Sequence, residues 1–337
     1  MFKGLTFCAM LTMAGYGLAA LPPMQQTGLG PLVFTLLLGL AAGNLKAGKN
    51  IGGLTAGLGF ASRWLLRTGI VLFGFSLTLQ QLIGLGPRIV VLDMFVVLTI
   101  TAAGYWLGTR WLKLDRDTAI LTSAGSAICG AAAVLATESA IRARPAATSM
   151  AVATVVVFGT LAMFIYPVMF PLFGWDQGLY GIYIGSTVHE VAQVVAAGGA
   201  VGQEALQNAV IVKLVRVMLL VPFLLVVGQI WVRHRRKTED NLNDAGKLTI
   251  PWFAFGFVAI VAINSMQHLP PLLQNGLVTS GQIAMTMAMA ALGYQTRIDA
   301  LKQLGLKPFL LALTIFVALV VGGAIITPAI IGIATGG

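Results

Sequence analysis

Polar side chains that could do chemistry interrupt an apolar stretch, YGIYIGSTVHEVAQVVAAGG (residues 180–199). His189 and Glu190 follow Ser186 by three and four residues, and Gln193 follows them by four and three. On one helix the four side chains would therefore form a stripe. A charged side chain at the bilayer centre costs from about 2.5 to more than 10 kcal/mol. We therefore expect the stripe to face protein or water. His189, with an ordinary pKa of about 6.5, could carry protons there or be a neutral packing residue.

Basic residues in the next apolar stretch, QNAVIVKLVRVMLLVPF, could neutralise this stripe. Because an unpaired carboxylate is costly to bury, we predict that Glu190 lies within pairing distance of Lys213 or Arg216. Such a pair could serve only to lock two helices together. A third base, Arg67, is also predicted within or near a span, whereas the acids there are Glu190 and Asp93. The excess of bases favours an anion-binding interior, and Asp93, close to a predicted membrane boundary, is interpreted as structural.

Two further apolar stretches carry matched clusters of small and polar residues. LTSAGSAICGAAAVLATE (121–138) aligns with VTSGQIAMTMAMAALGYQ (278–295) without a gap. Non-helical backbone at membrane depth is tolerated only inside protein or beside a wet cavity, so two broken helices here would create a binding site where they meet. Alternatively, the small residues allow close packing and the hydroxyls bond to their own backbone. The candidate substrate-binding residues are Ser123, Gly125, Ser126, Cys129 and Gly130 in the first stretch, and Gln282 and Thr286 in the second.

The chain that carries these clusters has the composition of an integral membrane protein. Of its 337 residues, 58% are hydrophobic and 9% are charged, and its mean hydropathy is +0.89. Apolar runs that could cross, or nearly cross, a hydrocarbon core of about 30 Å predict an all-α polytopic fold with eleven transmembrane helices. They lie at 5–21, 29–43, 64–82, 89–109, 118–137, 146–172, 180–198, 207–232, 250–267, 277–295 and 308–332.

The basic residues between these runs predict the topology. Fifteen Lys and Arg residues fall on one side of the predicted membrane, and three, Arg88, Arg142 and Arg144, fall on the other. The positive-inside rule then places the N-terminus in the cytoplasm and the C-terminus in the periplasm. The first helix could instead be a signal peptide, because Lys3 precedes an apolar run that ends in GLAAL. Its cleavage would leave the orientation of the other ten helices unchanged.

These ten helices suggest an internal repeat. If an extra helix in residues 1–28 stands apart, two repeats of five helices must have opposite orientations. We therefore predict inverted repeats at 29–175 and 176–337. The matched clusters then lie in the fourth helix of each repeat, the predicted helices 5 and 10, which we expect to be interrupted and to cross near the middle of the membrane.

Several classes of function lack support in the sequence. The net charge of +10 comes from scattered basic residues, which argues against a nucleic-acid partner. The chain has no HExxH or GxxxxGK[ST] motif, and Cys8 and Cys129 have no metal-ligand spacing, so neither a metal nor another cofactor is predicted. A convincing nucleophile is also absent, and we do not expect an enzyme.

The strings SAGSAICGAAAV, STVHEVAQVVAA, VKLVRVMLLVP and RTGIVLFG resemble the YeiH-type sulfate exporter family of bacterial inner-membrane proteins. The resemblance covers nearly the whole chain. It implies a relation to the cation/proton antiporter and anion transporter superfamily, with inverted five-helix repeats, crossing broken helices, a scaffold panel and a moving core. The description of the family as sulfate exporters leaves three candidate substrates, which are sulfate, sulfite and organosulfonates. The motif positions implied to form or support the site are Ser123, Gly125, Ser126, Cys129, Gly130, His189, Glu190, Gln193, Lys213 and Arg216.

The favoured interpretation is a secondary transporter that moves a small sulfur-containing anion across the bacterial inner membrane by alternating access. Half-helix N-termini near Gly130 and Thr286 would present N–H groups to the anion, and nearby hydroxyl and amide groups would donate hydrogen bonds. A cation/proton antiporter ranks lower, because predicted helices 5 and 10 have no central carboxylate. A membrane enzyme or sensor is a third alternative. The expected partners are the anion, the lipid bilayer and a coupling H⁺ or Na⁺, and related architectures are often homodimers.

Overall fold

The computed structural model describes residues 1–25, 30–45, 53–235, 252–266, 269–295 and 305–332. Throughout these residues the regular structure is helical. The helices are α1 (Phe2–Ala19), α2 (Pro22–Gln25), α3 (Pro31–Asn44), α4 (Thr55–Phe60), α5 (Leu66–Phe73), α6 (Leu79–Gly84), α7 (Pro87–Trp106), α8 (Arg116–Ala127), α9 (Ala131–Ile141), α10 (Pro145–Phe173), α11 (Gln177–Thr187), α12 (Val191–Val201), α13 (Gln203–Met218), α14 (Leu220–Arg235), α15 (Trp252–Met266), α16 (Pro271–Gln295) and α17 (Leu306–Ile331).

Five helical stretches in the described part of the chain are long and apolar enough to cross a membrane. They are Pro87–Trp111, Ala146–Phe173, Gln203–Trp231, Pro271–Gln295 and Leu306–Ile331. The all-α membrane architecture is therefore confirmed, while the number of crossings stays a prediction. The third predicted helix is misplaced: helical structure there begins at Thr55 and ends at Ser76, with a π-helical turn at Ala61–Leu65, rather than running from 64 to 82.

The chain forms two compact units, each built from separated segments. The first contains Met1–Gly86, Val195–Gln207 and Trp252–Ala300. Within it α16 packs against α1, α3 and α5. Buried Cys8, Leu58 and Tyr294 belong to its apolar core.

The prediction that helix 10 is interrupted is wrong, because α16, which contains it, runs without interruption from Pro271 to Gln295. The Ser280 hydroxyl donates to the Gly276 carbonyl at 2.8 Å, and the Thr286 hydroxyl donates to the Gln282 carbonyl at 2.7 Å. At Gly281 a Cβ would lie 2.9 Å from the Leu72 Cβ, so this glycine allows α16 to approach α5 closely. The hydroxyls thus bond within their own helix, and the small residues allow it to pack closely. Because α16 is continuous, it has no half-helix end near Thr286.

The second unit contains Pro87–Val194, Asn208–Pro251 and Leu301–Gly337. Here α8 packs against α7, α9, α10 and α17, and α11 packs against α7 and α17. Its apolar core includes Leu121, Val134 and Val155. Both interruptions relevant to function lie in this unit, at 128–130 between α8 and α9 and at 188–190 between α11 and α12.

The structure does not test the predicted repeats or the predicted membrane orientation. Repeat boundaries at 29–175 and 176–337, after the extra helix of 1–28, are not tested by the two units, since both units draw on both segments. Several residues that determined the predicted orientation lie outside the described residues. They are Lys46, Lys49, Arg236, Lys237, Lys247, Arg297 and Lys302.

Candidate functional site

The first interruption confirms that predicted helix 5 is broken. Helix α8 ends at Ala127, and α9 begins at Ala131 after a Gly130 with φ of 68° and ψ of −135°. L-residues with a Cβ rarely adopt this backbone conformation. A Cβ at this position would also lie 2.8 Å from Glu190 Oε1. The glycine is therefore required both by the turn and by the neighbouring carboxylate.

The second interruption lies in predicted helix 7 and corrects its interpretation as one continuous helix. Helix α11 ends at Thr187, and Val188 has extended backbone with φ of −71° and ψ of 144°. Helix α12 begins at Val191, and the Glu190 N–H donates to Gln193 Oε1 at 2.9 Å. This is half of a capping box, in which the third helical residue reaches back to the N-cap amide. The polar residues of this stretch thus surround a helix break and do not form one continuous stripe.

Two buried cations hold the carbonyl ends of both broken helices. The Lys213 ammonium donates to the Ile128 carbonyl at 2.6 Å and to the Val188 carbonyl at 2.7 Å. The Arg216 guanidinium donates to the Val188 carbonyl at 2.6 Å and to the Ser186 carbonyl. Both cationic side chains have no exposed surface. Helix α13 thereby joins the end of α8 to the end of α11.

One carboxylate holds the opposite, amide end of the first break. Glu190 Oε1 accepts a hydrogen bond from the Ala131 N–H, the first amide of α9, at 3.0 Å. Within the described residues no salt bridge joins Glu190 to Lys213 or Arg216, so the predicted ion pair is wrong as a direct contact, and Lys213 attracts Glu190 over a longer distance. The reason is that backbone groups supply the compensation: carbonyls satisfy the cations, and a helix amide satisfies the carboxylate.

The signs of these charges follow the helix dipoles. Helix C-termini carry partial negative charge and favour cations, whereas N-termini carry partial positive charge and favour anions. Lys213 and Arg216 lie at C-termini, and Glu190 lies at the N-terminus of α9 and caps α12. Since the first four amides of a helix have no intrahelical partner, the two N-termini also provide donors that an anion could use.

Buried polar atoms without a partner lie around these two helix breaks. Within the described part of the chain, no hydrogen bond reaches Ser126 Oγ, either ring nitrogen of His189, either carboxylate oxygen of Asp93, or Arg216 Nε. Buried polar groups are normally satisfied, so each of these atoms requires water, a ligand or a second conformation. Asp93 is completely buried in α7, and it interacts electrostatically with Arg216 and Lys213.

The remaining candidate residues are divided between the units. Ser123 donates to the Ala119 carbonyl at 2.7 Å, and Gly125 packs against Val134 and Val155. The Cys129 thiol is buried and interacts electrostatically with Lys213 and Arg216. In the other unit, Gln282 and Thr286 belong to α16, and the exposed Arg67 lies over the Phe253 ring at 5.7 Å. Arg67 is thus a cation–π partner there, and no contact described for it supports the buried-charge role that we expected.

Sequence reasoning missed the second break, although a signal for it exists. The segment EVAQ at 190–193 has an acidic residue followed by glutamine at the third position, in the spacing of a capping box. A glutamine at this spacing can reach back to the N-cap amide, but glutamate is not one of the residues that usually occupy an N-cap, so the signal is weak. The importance of Asp93 had no comparable local signal, because its burial arises from tertiary packing.

The described residues contain no group of three or more His, Cys, Asp or Glu that could hold a metal ion. The fold and its site define a helical membrane protein with two interrupted helices whose ends are held by buried charges. The family model described as "Conserved hypothetical protein 698" matches residues 3–312. The chain belongs to this family of UPF0324 membrane proteins, which confirms the resemblance to YeiH-type proteins.

Relatives extend over most of the chain. A UPF0324 membrane protein of Pseudomonas aeruginosa is 45% identical over 310 residues, covering 90% of this chain and 87% of the relative. The UPF0324 inner membrane protein YeiH of Escherichia coli (strain K12) is 42% identical over 325 residues, covering 96% of this chain and 92% of the relative. A UPF0324 membrane protein of Pseudomonas putida is 43% identical over 328 residues, or 96% and 92% of the two chains. No solved structure matches the chain.

Proposed function

We propose that this protein is a secondary transporter that moves a small anion across the bacterial cytoplasmic membrane by alternating access. The observation that supports the proposal most is the pair of completely buried cations, Lys213 and Arg216, at two helix breaks. Unpaired charges within a membrane are expensive and are characteristic of ion and substrate pathways. Broken helices with exposed ends are the usual way in which transporters build a central binding site.

The two helix breaks provide suitable donors for an anion. Ser126 Oγ, the His189 ring and Arg216 Nε are buried and have no partner among the described residues. Hydroxyl, imidazole and guanidinium N–H groups all suit the oxygen atoms of an oxyanion. This chemistry is common to small oxyanions, and we propose the sulfur oxyanions sulfate, sulfite and sulfonates because the sequence resembles the YeiH-type sulfate exporter family. A gradient of H⁺ or Na⁺ would supply the energy, and a homodimer would be compatible with this function.

A cation/proton antiporter is the second candidate. The sequence argument against it was that the broken helices lacked a central carboxylate, but Glu190 lies within the second break. Its carboxylate already accepts a helix amide, however, and the two cations nearby would repel a substrate cation. Anion transport therefore ranks first, and a membrane enzyme or sensor ranks last.

The test uses purified protein reconstituted in liposomes. Uptake of radiolabelled sulfate, sulfite and taurine would be measured with imposed H⁺ and Na⁺ gradients, and cation exchange would be measured in parallel. Saturable anion flux, absent from empty liposomes, is the expected result. Cation exchange without anion binding or flux would reverse the ranking of the two transport functions.

A further inference from the structure

The four charges around the two helix breaks add up to zero when all are ionised, and of these only Glu190 is partly rather than completely buried. Lys213 and Arg216 contribute two positive charges, and Asp93 and Glu190 contribute two negative charges. Each acid interacts electrostatically with at least one of these cations. A monoanion that entered this cluster would therefore leave a net negative charge in a medium where uncompensated charge is costly.

The two acids differ in how the protein supports their charge. Glu190 accepts the Ala131 N–H at 3.0 Å, at the positive end of α9. Asp93 has no exposed surface, and within the described residues neither of its oxygens receives a hydrogen bond. Its ionised form is supported only by Coulomb attraction to Arg216 and then Lys213. A carboxylate without donors gains least from being charged, so Asp93 is the acid that can most readily take up a proton.

Other titratable groups around Asp93 do not fit this role equally well. His189 interacts with the same two cations, and adding a proton to it would place a third positive charge beside them. The helices α8 and α17 also pack against α7, but their charged residues Arg116, Asp117 and Lys307 lie toward its opposite end. Gly104 of α7 and Gly108 in the π-helical turn that follows it (Leu107–Trp111) approach Ser123 and Ala119, so the start of α8 is about 20 Å from Asp93 along the helix axis.

We propose that Asp93 binds the coupling proton, and that its protonation creates the net positive charge that admits a monoanion. This inference rests on the proposed anion transport. One proton is taken up for each monoanion bound, so the loaded cluster is neutral again. Release of the proton from Asp93 restores its negative charge and expels the anion. Proton and anion therefore move together, in a step that carries no net charge.

Binding and proton uptake can be measured separately. Methanesulfonate serves as the probe, because it stays a monoanion between about pH 5 and pH 9, where only the protein titrates. For the wild-type protein we expect the Kd to rise up to tenfold for each pH unit above the pKa of the coupling group, as one-proton linkage requires. Adding methanesulfonate to weakly buffered protein should remove about one proton per bound anion from solution.

The asparagine in the variant Asp93→Asn has nearly the shape of a protonated aspartic acid and cannot ionise. It should bind methanesulfonate with a Kd independent of pH and without proton uptake, whereas Asp115→Asn at the surface should behave as the wild type. If Asp93→Asn does not fold, Asp93→Ser removes the same charge. Binding to the wild-type protein without proton uptake would overturn the role of Asp93 and leave anion transport standing. A wild-type protein that binds no small anion at any pH would overturn the proposed function itself.

Discussion

At the scale of single residues, the charged side chains at the two helix breaks bind backbone groups instead of side chains of opposite charge. Lys213 and Arg216 each donate to two carbonyls, and Glu190 accepts a helix amide. Leaving a buried donor or acceptor unsatisfied costs about 1–3 kcal/mol, more for charged groups. Each of these residues therefore maintains the helix breaks, whatever else it does for a substrate.

Gly130 gives the first prediction at this scale. Gly130→Ala should lower the free energy of unfolding by about 1–3 kcal/mol, because it places a Cβ at a φ of 68° and against Glu190. Gly276→Ala in α16 is the matched control, since a Cβ there meets nothing within 4 Å. Alanine in a helix interior should leave stability equal or raise it by about 0.5–1 kcal/mol. Thermal unfolding in detergent measures both variants, and equal Tm values would contradict the strain at Gly130.

Two serines of α8 provide a matched pair for substrate binding. Ser126 Oγ has no partner in the described structure, whereas Ser123 Oγ donates to the Ala119 carbonyl. Ser126→Ala should weaken anion binding by about 0.5–3 kcal/mol, the range for one lost hydrogen bond, and Ser123→Ala should have a smaller effect. Ser126→Asp should bind more weakly still, because it places a like charge beside the anion. Calorimetric titration with sulfate and methanesulfonate measures the three variants, and unchanged affinity in Ser126→Asp would move the site away from α8.

At the scale of elements, the sequence predicted helices well and their interruptions only in part. Glycines and hydroxyls marked the break before Gly130 correctly, but a similar cluster around Gly281 belongs to a continuous helix. The two cases differ in tertiary contacts: Lys213 holds the carbonyl exposed at Ile128, whereas Thr286 bonds within its own helix. Composition alone cannot distinguish them, since both clusters contain residues that permit either close packing or a break.

The start of α8 allows a prediction for one element. Asp115 accepts the Thr118 N–H at 3.0 Å and lies 2.7 Å from an Arg144 guanidinium nitrogen. Partial burial opposes ionisation of Asp115, but hydrogen bonds from Thr118 and Arg144 outweigh it and lower the pKa of this carboxyl. Asp115→Ala should cost about 0.5–2 kcal/mol of stability at neutral pH, the usual effect of removing an N-cap.

The lowered pKa of Asp115 also determines the direction in which the stability of the protein changes with pH. The stabilisation by the Asp115 charge is present above the unfolded pKa of about 3.9 and is lost as pH falls through the lower folded value. Asp115→Asn retains a capping side chain without the charge, so its stability relative to the wild type should improve over that acidic range. Unfolding of both proteins from neutral to acid pH measures the difference. A constant difference over the whole range would show that the charge contributes nothing.

At the scale of the whole molecule, the membrane orientation remains to be tested. The distribution of Lys and Arg predicts a cytoplasmic loop around Arg116 and a periplasmic loop around Arg88. Both side chains are exposed, while the two native cysteines, Cys8 and Cys129, are buried. A cysteine introduced at either arginine would therefore be the thiol most accessible to a water-soluble reagent.

Arg88→Cys should react with a membrane-impermeant maleimide in intact spheroplasts. Arg116→Cys should react only after the membrane is permeabilised, because the four predicted crossings that precede it start from a cytoplasmic N-terminus and return the chain to the cytoplasm. The wild-type protein, with its buried cysteines, is the control for background labelling. Since Arg88 lies in the first turn of α7 and Arg116 follows the helix, this span requires opposite accessibility of the two positions. Labelling of both from outside would exclude a transmembrane α7, and the reversed pattern would place the N-terminus of an eleven-helix chain in the periplasm.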